Sequence, residues 1–398
     1  MTSPWQRAAQ GANLLADDGS LGVTIFEEIT SLAVRTGALN LGQGFPDQDG
    51  PAEIKALARE AIQSGANQYA PGKGLPELRH AIAEHQQRFY GLQPDPDREV
   101  LVTTGATEAI AAALLALVSP GDEVLSFEPF YDSYGAMIAL AGGRHVTVPL
   151  AAPDFLPDAE ALAAAFSDRT AVVLVNSPHN PSGAVFPPET LARIVALAER
   201  HGAVIISDEV YEHLTYGVPH VPIATLPGAA ERTLTISSGG KTFSFTGWKI
   251  GWATGPAEVI AAVRTVKQFL SYSSGTPFQA AIAWGLRQEA DYFSSLAAEL
   301  QAKRDLLADG LRAAGLTVHL PQGGYFVNAD VAPLGVGDAV ALARQLPELI
   351  GVAAIPVAVF CHPEGAARNK SLLRFAFCKQ ESVLREAAAR LAALGERL

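Results

Sequence analysis

From about residue 99 the chain repeats one unit: an apolar, β-prone run, a turn rich in Gly, Pro, Ser or Asp, and a helix-like stretch. "EVLVTTG" leads into "ATEAIAAALLALVS", "DEVLSFEP" follows, and "TAVVLVNSP" precedes "PPETLARIVALAERHG". "AVIISDEVY", "RTLTISSGG" and "KIGWATG" continue the series. These runs are apolar throughout rather than alternating, so both faces of each strand must be covered, and the expected sheet is largely parallel with flanking helices. In the helix after "TAVVLVNSP", Leu191, Ile194, Val195 and Ala198 fall at i, i+3, i+4 and i+7 and lay one apolar stripe along it. After about residue 285 the pattern changes to long Ala/Leu/Glu/Arg helices around short strands such as "GGYFVNAD" and "LLRFAFC", which reads as a smaller α+β domain. A chain of 398 residues exceeds one ordinary core. The expected division is a large domain over 45–285 and a small one built from 1–44 and 286–398.

Charge and cysteine usage narrow the function class. Twenty-nine basic against 41 acidic residues give a formal charge of -12, which repels nucleic acid and anionic membrane. No run of about 20 apolar residues could cross a bilayer. The opening residues lack a charged-then-apolar leader pattern, and the two cysteines, Cys361 and Cys378, have no metal-like spacing. A cytoplasmic protein acting on small molecules is expected, without nucleic-acid or membrane partners.

In sheets of this kind, ligands collect beyond the carboxyl ends of the strands, and the polar signals of the chain gather there. "TTGATEAI" is a glycine turn feeding a helix, whose Ala106 and Thr107 amides and Thr107 hydroxyl suit an anion; an ordinary capped helix start would look the same. "VNSPHNPSG" holds Asn176 and Asn180 between prolines, where a plain turn is the alternative. "IISDEVYEH" ends an apolar strand with Asp208, Glu209 and Tyr211, and a carboxylate there needs a partner that a bound cation would supply. "SSGGKTFSFTGWKIGW" confines Lys241 and Lys249 among small residues, and "LLRFAFC" sets Arg374 inside an apolar strand, where its planar fork suits a carboxylate.

Together with "LNLGQGFPD", "NQYAPGKGLPELR", "GATEAI", "EPFYDSY" and "NSPHNPSG" in that order, these segments resemble the fold type I pyridoxal-phosphate aminotransferases. Within that group the likeness is to the branch of kynurenine, glutamine and methionine aminotransferases, and to actinobacterial N-succinyldiaminopimelate aminotransferase-like enzymes. The resemblance spans nearly the whole chain and implies pyridoxal 5'-phosphate as cofactor, with an amino acid and a 2-oxo acid as substrates. Lys241 matches the lysine joined to the cofactor aldehyde, which also carries the proton at the substrate α-carbon. Asp208 matches the partner of the pyridine nitrogen, and Tyr211 with Asn180 the pair on the phenolic oxygen. Tyr131, or its neighbour Phe130, matches the aromatic face over the ring. Lys249, Ser238, Ala106 and Thr107 correspond to the phosphate cradle, and Gly239, Gly240 and Gly247 to the close backbone approach. Arg374, with Gly44 and Asn180, corresponds to the grip on the α-carboxylate. Tyr69 resembles the tyrosine that reaches the phosphate of a neighbouring subunit, which implies a homodimer with shared active sites. The resemblance also implies cis peptide bonds before Pro129 and Pro181.

One departure bears on specificity. Dicarboxylate-specific members carry a further arginine across the dimer, whereas "FLSYSSGTPFQ" offers Tyr272, Ser273, Ser274 and Gly275. Aspartate is therefore not the expected donor, and the small residues leave room for a long one such as N-succinyl-diaminopimelate or for methionine, glutamine and aromatic donors. A carbon–sulfur β-lyase on the same scaffold is the alternative, since the same cofactor constellation supports elimination. A regulator that borrowed the fold would need a DNA-binding domain, for which the few dozen residues before "LNLGQGFPD" are too short. The nine histidines show no HExxH-like spacing, and no metal is expected. His179 and His213 read as groups behind the site or at the surface.

Overall fold

The computed structural model describes residues 3–16 and 18–398. Its eight-stranded sheet is built from β1 (Val100–Thr104), β2 (Glu123–Glu128), β3 (Arg144–Ala151), β4 (Leu156–Pro157), β5 (Thr170–Asn176), β6 (Val204–Asp208), β7 (Thr233–Ser238) and β8 (Ile250–Thr254). The strand order is β1-β8-β7-β6-β5-β2-β3-β4. The run from β7 to β3 is parallel throughout, while β8 is antiparallel to both its neighbours and β4 turns back along β3. This is the α/β arrangement that the uninterrupted apolar runs require, since β2 and β7 are buried at every position. Helices pack on both faces. Helix Gly105–Leu117 covers one with Ala109, Ile110, Ala113 and Leu114. Helix Pro188–His201 lays its stripe of Leu191, Ile194, Val195 and Ala198 on the other.

The strand β3 is the element that the apolar-run pattern does not show. It lies next to the sheet edge, only Val148 and Leu150 of its eight residues are buried, and Pro149 interrupts its middle. A half-exposed edge needs no continuous apolar run.

The C-terminal part folds around a second sheet of β9 (Thr317–His319), β10 (Phe326–Asp330), β11 (Ile355–Pro356) and β12 (Leu372–Ala376), ordered β9-β10-β12-β11 and antiparallel. Helices Ala290–Ala313 and Glu381–Leu391 pack on it, and Leu39–Asn40 pairs in parallel with Val352–Ala353 in a separate two-stranded sheet beside it. The chain's N-terminal segment thus belongs to the same apolar core as its C-terminal third, through Ile29, Ala33 and Leu41. Cis peptide bonds precede Pro129 and Pro181, and also Pro153 and Pro178. Among the described residues, no helix is long and apolar enough to cross a membrane.

Candidate active site

Five chain segments leave the carboxyl ends of neighbouring strands and converge on one cavity of about 160 Å³. After β1, Gly105 takes a left-handed conformation (φ 72°) and opens the helix Gly105–Leu117. A Cβ on Gly251 of β8 would lie 2.5 Å from the carbonyl carbon of Gly105, so only glycine lets the helix start lie this close to the sheet. The first amides of that helix, with Ala106 and Thr107, thereby face the cavity. Tyr131 arrives after β2, Asn176 and Asn180 after β5, Asp208 and Tyr211 from the end of β6, and Ser238, Gly240 and Lys241 from the end of β7. Lys249 reaches in from the turn before β8 in a left-handed conformation (φ 55°).

The charges are arranged at separate ends. Asp208 is buried, accepts a hydrogen bond from the Tyr134 hydroxyl at 2.6 Å and a longer one from the Val210 amide at 3.4 Å. Burial pushes its carboxyl up to about 6, against the pull of the Tyr134 hydroxyl and the Lys241 charge. Lys241 is half-buried, and its Nζ donates to the Gly44 carbonyl at 3.3 Å. The rings of Tyr211 and Tyr325 stand 5.6 Å from that nitrogen, and desolvation lowers its proton affinity. Lys249, by contrast, is exposed, with its Nζ 3.4 Å from the Thr107 hydroxyl beside the helix start.

The third charge comes from the other sheet. Arg374 sits in the middle of β12, opposite Asn328 of β10, and is buried. It donates to Asn180 Oδ1 and to the Gly42 carbonyl, each at 3.0 Å. The rings of Phe326 and Phe360 stack on the guanidinium at 3.8 and 4.6 Å. Burial draws it down to about 10, and its Nε has no partner. Among the described residues no carboxylate forms an ion pair with it. The Asp132 carboxylate acts on it only from beyond ion-pair distance, so a buried guanidinium with an unmet N–H suits an incoming carboxylate.

Nine of the residues expected from the sequence therefore line one cavity: Ala106, Thr107, Tyr131, Asn180, Asp208, Tyr211, Ser238, Lys241 and Lys249. Arg374 borders it through Asn180. Gly44 contributes its carbonyl to Lys241, while Gly42 supplies the carbonyl at the guanidinium. Tyr131 faces the cavity and Phe130 turns away to pack on His145 and His362. Of the three glycines near Lys241, Gly240 lines the cavity, Gly239 abuts Ile282, and Gly247 faces open space. Tyr69 is 81% exposed, its ring edge-on to Tyr272.

Sequence reading missed Tyr134 and Tyr325, whose hydroxyls hold the Asp208 carboxylate and the Lys241 carbonyl. The signal for Tyr134 lies in "EPFYDSY", three residues past Tyr131 on the same helix start, but a buried helical tyrosine reads as core. The segment after β6 also has a second face. Glu209 accepts from His220 and Ser207, and Glu212 accepts from Tyr90 and Ser237. The histidine expected behind the site or at the surface, His213, is half-buried and stacked on Phe293. With His85 and Glu212 it brings three metal-capable atoms within 4.8 Å of one another. The two imidazoles already share a hydrogen bond at 2.7 Å, and both Glu212 oxygens are engaged by Tyr90 and Ser237, so all three side chains already have hydrogen-bond partners. His179 is buried and bonded to the Ser182 hydroxyl at 2.7 Å.

A carboxylate needing a cation, an amine, a helix start with a lysine suited to phosphate, and a guanidinium needing a carboxylate fit pyridoxal 5'-phosphate with an amino acid beside it. Comparison with known proteins agrees. The family described as aminotransferase class I and II matches residues 36–391. The chain is 51% identical over 384 residues to a probable N-succinyldiaminopimelate aminotransferase, DapC, of Mycobacterium tuberculosis, covering 94% of this chain and 96% of that one. It is 42% identical to a methionine aminotransferase of Escherichia coli, covering 93% and 96%. The solved structure of N-succinyldiaminopimelate aminotransferase from Mycobacterium tuberculosis superposes with a TM-score of 0.93 at 49% identity, covering 99% of this chain and all of that one.

Proposed function

Because the chain belongs to the class I and II aminotransferases, pyridoxal-phosphate enzymes that move an amino group between an amino acid and a 2-oxo acid, we propose a division of labour among its residues. The cofactor, when bound, supplies the electron sink for bond changes at the amino acid's α-carbon. Lys241 is the amine that would join the cofactor aldehyde and would hold and move the proton at the α-carbon; burial lowers its proton affinity, in the direction a base requires. Asp208 holds the proton on the pyridine nitrogen. Tyr211 and Asn180 donate to the phenolic oxygen, and Asn180 can do so because its carbonyl, not its NH₂, faces Arg374. Tyr131 covers one ring face. Lys249, Ser238 and the Ala106–Thr107 helix start hold the phosphate. Arg374 grips the α-carboxylate. The observation that carries this reading is Lys241 and Asp208 in one cavity with Arg374, which forms no ion pair among the described residues, bordering it through Asn180.

N-succinyl-diaminopimelate with glutamate and 2-oxoglutarate is the substrate pair we favour. It is supported by the 51% identity to the mycobacterial protein and by the small Ser273, Ser274 and Gly275 where an arginine would select a dicarboxylate. The test is a half-reaction: single amino donors are added to the loaded enzyme and absorbance is followed for conversion to the pyridoxamine form. N-succinyl-diaminopimelate should convert fastest in a panel with methionine, glutamine, kynurenine and glutamate. A faster methionine or kynurenine reaction would move the substrate assignment. Pyruvate release from a cysteine conjugate without any pyridoxamine would replace transamination by β-elimination.

We place the enzyme in the cytoplasm, where its two buried, unpaired cysteines would stay reduced. We further assign it a homodimer with Tyr69 reaching the partner's phosphate site. Support comes from the exposed side chains of Tyr69 (81%), whose ring meets Tyr272, and of Phe269 (85%) and Leu270 (52%), which shortly precede Tyr272 in the chain. Phe269→Glu should shift the sedimentation of the protein to that of a monomer; a monomeric wild type would end this assignment.

A further inference from the structure

Outside the cofactor cavity, the chain holds a cleft of about 630 Å³ between the N-terminal segment, the helix Ser133–Ala141 and the small domain. Its walls are mostly apolar, including Leu14, Ile25, Phe26 and Met137. Two of its lining residues neighbour the cofactor site: the Phe26 ring lies 5.5 Å from the Arg374 guanidinium, and Asp132 follows Tyr131 directly. Asp132 turns a carboxylate into this region, and its Oδ1 is buried without a hydrogen-bond partner. The cleft is also lined by Arg344, which donates to both oxygens of Glu28 at 2.7 and 3.1 Å. Both side chains of that pair are about half exposed, so the pair is solvent-screened and open to exchange with another carboxylate.

We propose that this cleft is the subsite for the side chain of a long amino donor that carries an amide N–H part-way along and a carboxylate beyond it. The lining groups set the chemistry. The cleft offers an unmet acceptor on the residue next to Tyr131, apolar walls that suit a methylene chain, and a half-exposed cation. Asp132 accepts the amide N–H, and Arg344 exchanges Glu28 for the terminal carboxylate through its planar fork. A short thioether donor such as methionine would be held by Arg374 and reach neither polar group. This assignment rests on the aminotransferase reading above and deepens its choice of donor.

The experiment uses the loaded enzyme and compares N-succinyl-L,L-diaminopimelate with methionine in the wild type, Arg344→Gln and Asp132→Asn. Loss of a charge-assisted contact should raise KM for the succinylated donor by about tenfold or more, with kcat little changed. The ratio of kcat/KM between the two donors should shift toward methionine by a similar factor. Arg344 is exposed and its replacement should fold normally, which circular dichroism and the cofactor absorbance band would verify. If the wild type turns over the succinylated donor and neither variant moves that ratio, the cleft assignment is overturned while the transaminase reading stands. If the wild type converts methionine but not the succinylated donor, the substrate choice fails and the cleft assignment fails with it.

Discussion

In the cofactor-free protein, replacing Asp208 with asparagine should raise stability above about pH 6, although the same change should remove most activity from the loaded enzyme. Burial moves the Asp208 carboxyl from 3.8 to about 6, and at about 1.4 kcal/mol per pH unit the ionised form is disfavoured in the folded chain by about 3 kcal/mol. A raised folded pKa means that the native state binds the proton more tightly than the unfolded chain. The penalty is therefore absent below about pH 4, grows as the pH rises to about 6, and is full above that. Asparagine has nearly the same shape and can accept the Tyr134 hydrogen bond, but it cannot ionise. The stability difference between variant and wild type should thus change by about 3 kcal/mol in the variant's favour between about pH 4 and pH 7. Urea unfolding of both cofactor-free proteins across this range, followed by fluorescence and circular dichroism together, measures it. A difference that does not vary with pH would refute the argument. Loading the cofactor supplies the missing cation, so the loaded variant should retain cofactor yet lose most of its rate; an unimpaired rate would refute the role at the pyridine nitrogen.

Three further outcomes are expected. Lys241→Ala should abolish the visible absorbance that the joined cofactor gives and nearly all turnover, and substantial residual transamination would defeat the assignment. Arg374→Lys keeps the charge but removes the fork, so KM for amino donors should rise about thirtyfold with kcat less affected, and an unchanged KM would place the α-carboxylate elsewhere. Gly44→Ala would set a Cβ 2.2 Å from Cζ of Phe326, the ring stacked on Arg374. A loss of about 1–3 kcal/mol in thermal stability, with a raised KM, should follow, and a variant indistinguishable from wild type would show that Phe326 yields freely.

What the sequence disclosed follows from where each residue sits. Strands β1, β2, β5, β6, β7 and β8 are nearly all buried along their lengths and stand out as apolar runs, whereas β3, half-exposed next to the edge strand β4, shows no such run. Lys241, Asp208 and Arg374 were legible because charged groups interrupt apolar strands or end them. Tyr134 and Tyr325 were not, since a hydroxyl on a buried ring looks like packing until its partner is known. The carbonyl of Gly42 accepts from the Arg374 side chain across 332 residues of sequence, and no local pattern encodes it. Asp132 and Arg344 likewise come to line one cleft only through the tertiary fold, since they lie 212 residues apart in the chain.

The span from Asp208 to His213 turns Asp208 and Tyr211 toward the cavity and Glu209 and Glu212 into the hydrogen-bonded network behind it. Each residue's neighbours in the chain thus answer to a different set of constraints, yet the backbone that carries them is shared. A substitution at Glu212 chosen to adjust stability would also tilt Tyr211, and one at Tyr211 chosen to adjust chemistry would disturb His85 and Tyr90. Laboratory evolution of this segment should therefore proceed through paired changes, one on each side, and the set of spellings it tolerates should be smaller than either side alone would demand.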